Sequence, residues 1–286
     1  MTPPSSDAIS VVISTYQRAD ACERALRSIL AQTESPLEVL VCDNGSTDDT
    51  QERMSGWERQ DPRVRYLRTQ TNSGTPATTR NLGIEHARGE LIAFCDDDDA
   101  WLPGKLATQR TALALEGADA IATNALRTDG STYFPAAAAS WRPTRSDLLW
   151  ANPIITSSAL VRREELLSAG GFPTEPRLSG LEDYATWLEL ARRGTQFVVL
   201  ADALVRYDDS SGDRLSLDRV RIELAVARLA WSHALRDRMT PADLRAALRR
   251  TAGAVHVVGA EALTAFRRSR DGAGTGGSTR DRGVDL

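Results

Sequence analysis

Four consecutive carboxylates, Asp96 to Asp99, follow directly on the apolar run from Leu91 to Cys95. Their mutual repulsion at the end of a buried strand is costly unless a cation is present. Mg²⁺ and Mn²⁺ are hard ions that use one or two carboxylates together with phosphate oxygens. The run therefore reads as a platform for a metal and a diphosphate; the plainer reading is an acidic turn into the next helix, with Pro103 in its first turn. A second carboxylate, Asp43, closes the run from Leu37 to Cys42 in the turn DNGSTDDT. There it can accept hydrogen bonds from a base or ribose, although Asp43, Asn44, Ser46, Thr47 and Asp48 equally suit an Asx turn and helix cap. A third acidic pair, Glu182-Asp183, precedes Trp187, Leu188, Leu190 and Ala191. A carboxylate at a helix N-terminus is stabilised by the dipole; the same group could act as a general base toward an acceptor hydroxyl. Spacing alone does not choose between these two roles.

The elements that must position these groups are legible over the first 130 residues. Ile9 to Ser14 (ISVVIS), Leu37 to Cys42 (LEVLVC), Val64 to Leu67 and Leu91 to Cys95 (LIAFC) read as short buried strands. Between them lie helices: one capped by Asp20, with Glu23 in the reciprocal position, one near Thr50 to Glu58, and one from about Ala77 to Arg88 that stops at Gly89. This β-α-β order predicts an α/β fold, a parallel sheet with helices on both faces. Ligands of such sheets bind outside the carboxyl ends of the strands. Ser14-Thr15-Tyr16, the Asp43 turn and Asp96 to Asp99 all fall on that rim. Further strands are expected at Ala120–Thr123, Ser158–Arg162, Phe197–Leu200 and Leu204–Tyr207, and a helix from near Asp183 to Gly194. Leu217 to Arg268 reads as two helices, the second capped by Thr240-Pro241. From Ser269 the Gly-, Ser- and Thr-rich tail is expected to be disordered. The segment from Leu126 to Trp150 reads as a mobile acceptor loop or a plain surface insertion.

Composition narrows the function classes. The 286 residues are 41% hydrophobic and 26% charged with a net charge of -4, which is an ordinary globular balance and not the basic footprint of a nucleic-acid binder. Cys22, Cys42 and Cys95 have neither metal nor disulfide spacing, and a reduced, cytoplasmic setting fits them. No apolar run approaches the ~18 residues of a membrane span. Charge is uneven: residues 217–268 are rich in arginine while the preceding chain is acidic. The basic helical pair could touch anionic lipid or an acidic partner, or present a solvated face.

The stretches ISVVISTYQRADACERALRSILAQT, LEVLVCDNGSTDDT and NSGTPATTRNLGIEHARGELIAFCDDDDAWLPGKL, followed by SSALVRREELLSAGGF and LEDYATWLELARRG, together resemble the family 2 glycosyltransferases of the GT-A fold. The resemblance covers about residues 9 to 216. It implies a GT-A domain over 1–216, with a nucleotide-sugar half (1–123) and an acceptor half (124–216), followed by a helical extension over 217–268. It implies an inverting enzyme that uses a nucleotide-diphospho-sugar donor, most typically a UDP-sugar, with Mn²⁺ or Mg²⁺. Thr15 and Tyr16 would lie against the nucleotide, Asp43 would contact the base, Arg80 would face the nucleotide pocket and Asp96 would contact ribose. Asp98 would ligate the metal, and Asp99 would orient the loop. Asp183 would be the base, Glu182 a second candidate, and Trp187 would back the acceptor pocket.

The chain departs from that pattern at one place. Many relatives carry a metal-binding His after the strand that follows the acidic helix; here the segment is RYDDSSGDRLS, with Asp208 or Asp209 at that place. Either could serve as a metal or diphosphate contact, or the metal contact at this place is absent; Arg214 and Ser216 could still approach the diphosphate. The acceptor implied is a saccharide, a lipid-linked molecule or a small molecule, and residues 217–268 could give peripheral membrane contact. Two other readings compete. A sugar-phosphate nucleotidyltransferase would want a glycine-rich loop after the first strand, which STYQRAD lacks; a non-catalytic nucleotide-sugar-binding paralogue would tolerate the missing His.

Overall fold

The computed structural model describes residues 7–135, 139–209, 219–237 and 239–273. The first half alternates as the apolar runs predict: β1 (Ile9–Thr15), α1 (Ala19–Leu30), β2 (Glu38–Asp43), α2 (Thr50–Gln60), β3 (Val64–Arg68), α3 (Pro76–His86) and β4 (Leu91–Asp96). These four strands pair in parallel in the order β3-β2-β1-β4. The second half adds β5 (Ala100–Trp101), α4 (Lys105–Glu116), β6 (Ala120–Leu126), α5 (Arg145–Trp150), β7 (Leu160–Arg162), α6 (Arg163–Ala169), α7 (Glu182–Arg193) and β8 (Phe197–Arg206). One continuous sheet results, ordered β3-β2-β1-β4-β7-β6-β8-β5.

The short strand β7 decides where the chemistry lies. It runs antiparallel to both β4 and β6, and β6 pairs in parallel with β8. Two reversals restore direction, so β6 and β8 point the same way as β1, β2 and β4. With β3, which is parallel to β2, the carboxyl ends of six strands therefore share one rim.

Side chains alternate across this sheet, as the pleat requires. Val12, Ile92 and Phe94 face one core with α3, α5 and α7. Val11, Ile13, Leu91 and Ala93 face the other with α1, α2 and α4. The helices α8 (Arg219–Ala234) and α9 (Pro241–Ala273) are not a separate body. Val226, Leu229, Ala230, Ala246 and Ala247 bury themselves against Leu148, Leu149 and Tyr184 of α5 and α7. Thr240 caps α9 as its sequence predicts: its hydroxyl accepts from the Asp243 amide, and Asp243 accepts from the Thr240 amide.

Several local expectations are corrected. Asp20 does not cap α1, whose N-cap is Arg18 without a side-chain cap; Asp20 and Glu23 are both drawn to Arg53 on α2. α3 ends at His86, ahead of Gly89, and Gly89 is needed for another reason. A Cβ there would stand 2.5 Å from the Ala8 carbonyl and 2.7 Å from the Ser10 amide. The two strands expected between Phe197 and Tyr207 are one strand, β8, kept in register with β6 by irregularities around Asn124. α9 continues through Ser269 to Ala273, where a disordered tail was expected to have begun; the rest of that tail lies outside the described residues. No helix among the described residues is long and apolar enough to cross a membrane. All three cysteines are free and buried.

Candidate active site

The shared rim opens into a cavity of about 790 Å³, a size suited to a small-molecule ligand. Thr15 and Tyr16 from the end of β1, Arg80 from α3, Asp96 to Asp98 from the end of β4, and Glu182 and Asp183 from the start of α7 all line it. The two sets of carboxylates lie 84 residues or more apart in the chain; the sheet order brings them to one opening.

The turn after β1 clamps the acidic loop. The Thr15 hydroxyl donates to Asp97 Oδ2 at 2.8 Å. Gln17 has the only positive φ among the described non-glycine residues (56°). Its carboxamide oxygen accepts from the Thr47 and Asp48 amides, which hold that conformation. The next residue, Arg18, then reaches back to Asp97 (3.3 Å) and Asp98 (3.0 Å). Burial pushes the Asp97 carboxyl up to about 6, against the Thr15 hydrogen bond. Burial and Asp96 raise Asp98, and burial and Asp96 raise Asp99 well above the usual carboxylate range. The buried Asp99 Oδ2 has no hydrogen-bond partner among the described residues.

This concentration of negative charge tests the loop's fit to a divalent ion. Two guanidiniums, Arg18 and Arg80, face the four carboxylates from Asp96 to Asp99, and burial disfavours the ionised forms of Asp97, Asp98 and Asp99, so a further cation suits the loop. Asp98, about a quarter exposed on its side chain, is open to the cavity. Among the described residues no group of three ligating side chains stands ready around one point. The residues present thus fit a hard ion held by one or two carboxylates and completed by phosphate oxygens, and do not form a closed protein cage.

A 3-10 turn at Thr156–Ser158, just before β7, connects the acidic loop to α7. Ser157 Oγ accepts from the Asp96 amide at 2.9 Å, while the Thr156 hydroxyl donates to Asp183 Oδ2 at 3.1 Å. Asp183 Oδ1 accepts from the Tyr184 amide. Burial, then the neighbouring Glu182 charge, lift the Asp183 carboxyl to about 6, against Arg80. Arg80 is buried between the two clusters, 2.7 Å from Asp96 and 3.3 Å from Glu182. Burial works against its charge, yet Asp96, Glu182 and Asp183 together hold it firmly protonated.

Other residues singled out by sequence lie elsewhere. Asp43 is wholly buried and does not line the cavity. Its carboxylate accepts from the Ser46 amide and hydroxyl and from the Tyr66 hydroxyl, with Arg68 3.5 Å away. Here it closes an Asx turn. Trp187 is also fully buried, edge-on to Phe172 in the core, so it stands behind the pocket wall and not on it. Asp209 is turned away to the Thr128 hydroxyl and amide and to Arg127. Those Thr128 hydrogen bonds lower its pKa to about 2. The Asp208 amide donates to Asp99 Oδ1. Neither Asp208 nor Asp209 lines the cavity. Arg214 and Ser216 lie outside the described residues.

The sequence reading missed Arg18, Thr156 and the aromatic residues Tyr133, Phe134 and Tyr207, all of which line the cavity. Arg18 was hidden by the abundance of arginine. An adjacent Tyr-Phe pair in a chain only 6% aromatic was a signal available for the others.

Comparison with known proteins agrees with this architecture. The sequence model for "Glycosyl transferase family 2" matches residues 10–166. The putative teichuronic acid biosynthesis glycosyltransferase TuaG of Bacillus subtilis is 28% identical over 206 residues, covering 70% of this chain and 78% of that protein. The UDP-Glc:alpha-D-GlcNAc-diphosphoundecaprenol beta-1,3-glucosyltransferase WfgD of Escherichia coli is 28% identical over 184 residues, 64% of this chain and 70% of its own. Other leading matches are more partial, the aligned stretch spanning 32% of one curated relative and 16% of another. Among solved structures, S. aureus TarS 1-349 in complex with UDP-GlcNAc superposes with a TM-score of 0.72 at 20% identity, over 85% of this chain and 72% of that one. At that identity the likeness establishes the GT-A-like fold.

Proposed function

Because the chain belongs to glycosyl transferase family 2, we propose that it moves a sugar from a nucleotide-diphospho-sugar, a UDP-sugar by preference, to an acceptor hydroxyl in one inverting displacement. The observation that carries this reading is the convergence of the Asp96–Asp98 loop and Asp183 on a single cavity. The UDP-GlcNAc complex of TarS and the UDP-glucose named for WfgD support the choice of nucleotide.

Asp183 removes the proton from the acceptor hydroxyl as that oxygen attacks the anomeric carbon. The Thr156 hydroxyl and the Tyr184 amide fix the direction of its carboxylate, and a base pKa of about 6 suits proton abstraction near neutral pH. Thr15, Tyr16 and Asp96 bind the nucleoside end. A divalent ion, Mn²⁺ or Mg²⁺, would be held by Asp98 and supplies charge neutralisation to the departing diphosphate. Arg18 and Arg80 keep the carboxylates around that position in place. A non-catalytic nucleotide-sugar binder is the weaker alternative, since it has no use for an oriented carboxylate across the cavity from the acidic loop.

The acceptor end is proposed by analogy. The WfgD name specifies a diphosphoundecaprenol-linked acceptor, and a lipid-linked acceptor would place this chain at the cytoplasmic face of a membrane, in contact through α8 and α9. A thermal-shift series with UDP-, GDP- and dTDP-sugars, with and without Mn²⁺, tests the donor. A UDP-sugar should stabilise the protein most and only with the ion, and Asp98→Ala should abolish the ion's contribution. Equal response to all three, or undiminished Mn²⁺ dependence in the variant, defeats the assignment.

A further inference from the structure

Lys105 is the only lysine among 35 lysines and arginines, and it stands where a cation is least favoured. Its side chain is fully buried in the first turn of α4, at the positive end of that helix's dipole. Burial lowers its pKa to about 7, opposed only by Cys95, and no carboxylate pairs with it among the described residues. A buried amine without a counter-charge is costly, and an apolar side chain would avoid that cost. An arginine would bring a longer side chain and a charge that it cannot lose. The ammonium lies 3.8 Å from the centre of the Trp101 ring and donates to Gln109 Oε1, one turn along α4, at 2.8 Å.

These two contacts lead to the site. The hydrogen bond fixes the Gln109 amide oxygen toward Lys105. The amide nitrogen therefore faces the other way, where it donates to the carbonyls of Ser158 (2.7 Å) and Ile121 (3.1 Å). A flipped amide would set oxygen against oxygen at both carbonyls. Trp101, beneath the ammonium, donates its indole N–H to the Ser157 carbonyl at 2.9 Å. The turn at Thr156–Ser158 is thus gripped from behind by two adjacent carbonyls. Its hydroxyls face forward: Ser157 Oγ accepts from the Asp96 amide, and the Thr156 hydroxyl donates to Asp183. None of Lys105, Trp101 and Gln109 lines the cavity, so they act on it only through this turn.

We infer that Lys105 is a positioning residue for the nucleotide end of the site: through Trp101 and Gln109 it fixes the turn on which the Asp96 loop rests. The inference rests on the transferase reading above and deepens it by naming what holds the acidic loop in register.

Lysine labelled with ¹³C at Cε lets NMR read this one side chain in the full protein. Without ligand its Cε protons should lie upfield, under the Trp101 ring. UDP with Mn²⁺ should shift them, with a midpoint at the calorimetric Kd. Ser157→Ala, which cuts the turn from the Asp96 amide, should diminish that shift and leave the upfield position. Lys105→Met keeps the length of the side chain and loses the donor. It should weaken UDP with Mn²⁺ about three- to tenfold, the worth of one hydrogen bond, measured below its own thermal midpoint. If UDP binds and the lysine signal stays still, or if Ser157→Ala leaves the shift whole, the brace carries nothing to the site and the inference fails. A Lys105→Met chain that folds and binds UDP as the wild type does also overturns it. Should that variant not fold, the lysine signal and Ser157→Ala decide the matter alone. Failure of the wild-type chain to bind UDP at all would instead remove the transferase reading beneath it.

Discussion

At the scale of single residues, the site is organised by hydrogen bonds to carboxylates as much as by the carboxylates themselves. Asp183→Asn keeps the contacts to Thr156 and Tyr184 in shape while removing the basic oxygen. Sugar transfer should fall ~10²–10⁴-fold with donor affinity retained, as single-turnover assays and calorimetry would read; transfer at the wild-type rate excludes Asp183 as the base. The pH profile follows from the raised carboxyl. Asp183 must be ionised to accept a proton, so the rate should be level above about pH 6 and drop about tenfold per unit below it. A profile flat down to pH 4.5 would contradict that. What the sequence disclosed here was residue type and order: the acidic run, Arg80 and the Glu182-Asp183 pair were all visible. What it hid was side-chain direction. Asp43 and Asp209 stand at the expected chain positions, but Ser46 and Tyr66 occupy one and Thr128 and Arg127 the other. Such partners are set by turns a pattern of residue types does not resolve.

At the scale of elements, the parallel half was legible because each strand is a short β-branched run followed by an amphipathic helix. The second half was less so, since β7 is three residues long and takes its direction from its neighbours. α5, six residues long, carries a Thr144–Asp147 capping box that a stricter search for caps would have found. Close approach of elements was also invisible in sequence. A Cβ on Gly83 of α3 would stand 2.5 and 2.6 Å from the Val12 methyls of β1. Gly83→Ala should therefore cost about 1–3 kcal/mol by overpacking, with a thermal midpoint lower by about 2–4 °C for each kcal/mol. An unchanged midpoint would mean that α3 can lift from the sheet without penalty.

At the scale of the whole molecule, α8 and α9 cover α5 and α7 on one side and present leucines and arginines on the other. Leu244, Leu248 and Val255 are exposed along one face of α9, with Arg245 and Arg249 exposed beside them. An apolar stripe flanked by arginines suits the boundary of an anionic bilayer. The chain should co-sediment with phosphatidylglycerol vesicles and not with phosphatidylcholine ones, more weakly at high salt, and Leu244→Ser with Leu248→Ser should release it. Equal binding to both lipids, or none, would leave that face to water. Arg80 spans a different junction: one guanidinium touches Asp96 on the donor side and Glu182 beside Asp183. If a nucleotide draws on Asp96, one end of this bridge should loosen and the other tighten, setting Glu182 and Asp183 before the second substrate arrives. Entry should follow a compulsory sequence, with a dead-end acceptor analogue inhibiting uncompetitively against the donor in initial-rate patterns, and Arg80→Lys, which cannot span both partners, should make that inhibition noncompetitive; a noncompetitive pattern in the unmutated chain would mean that the bridge imposes no order.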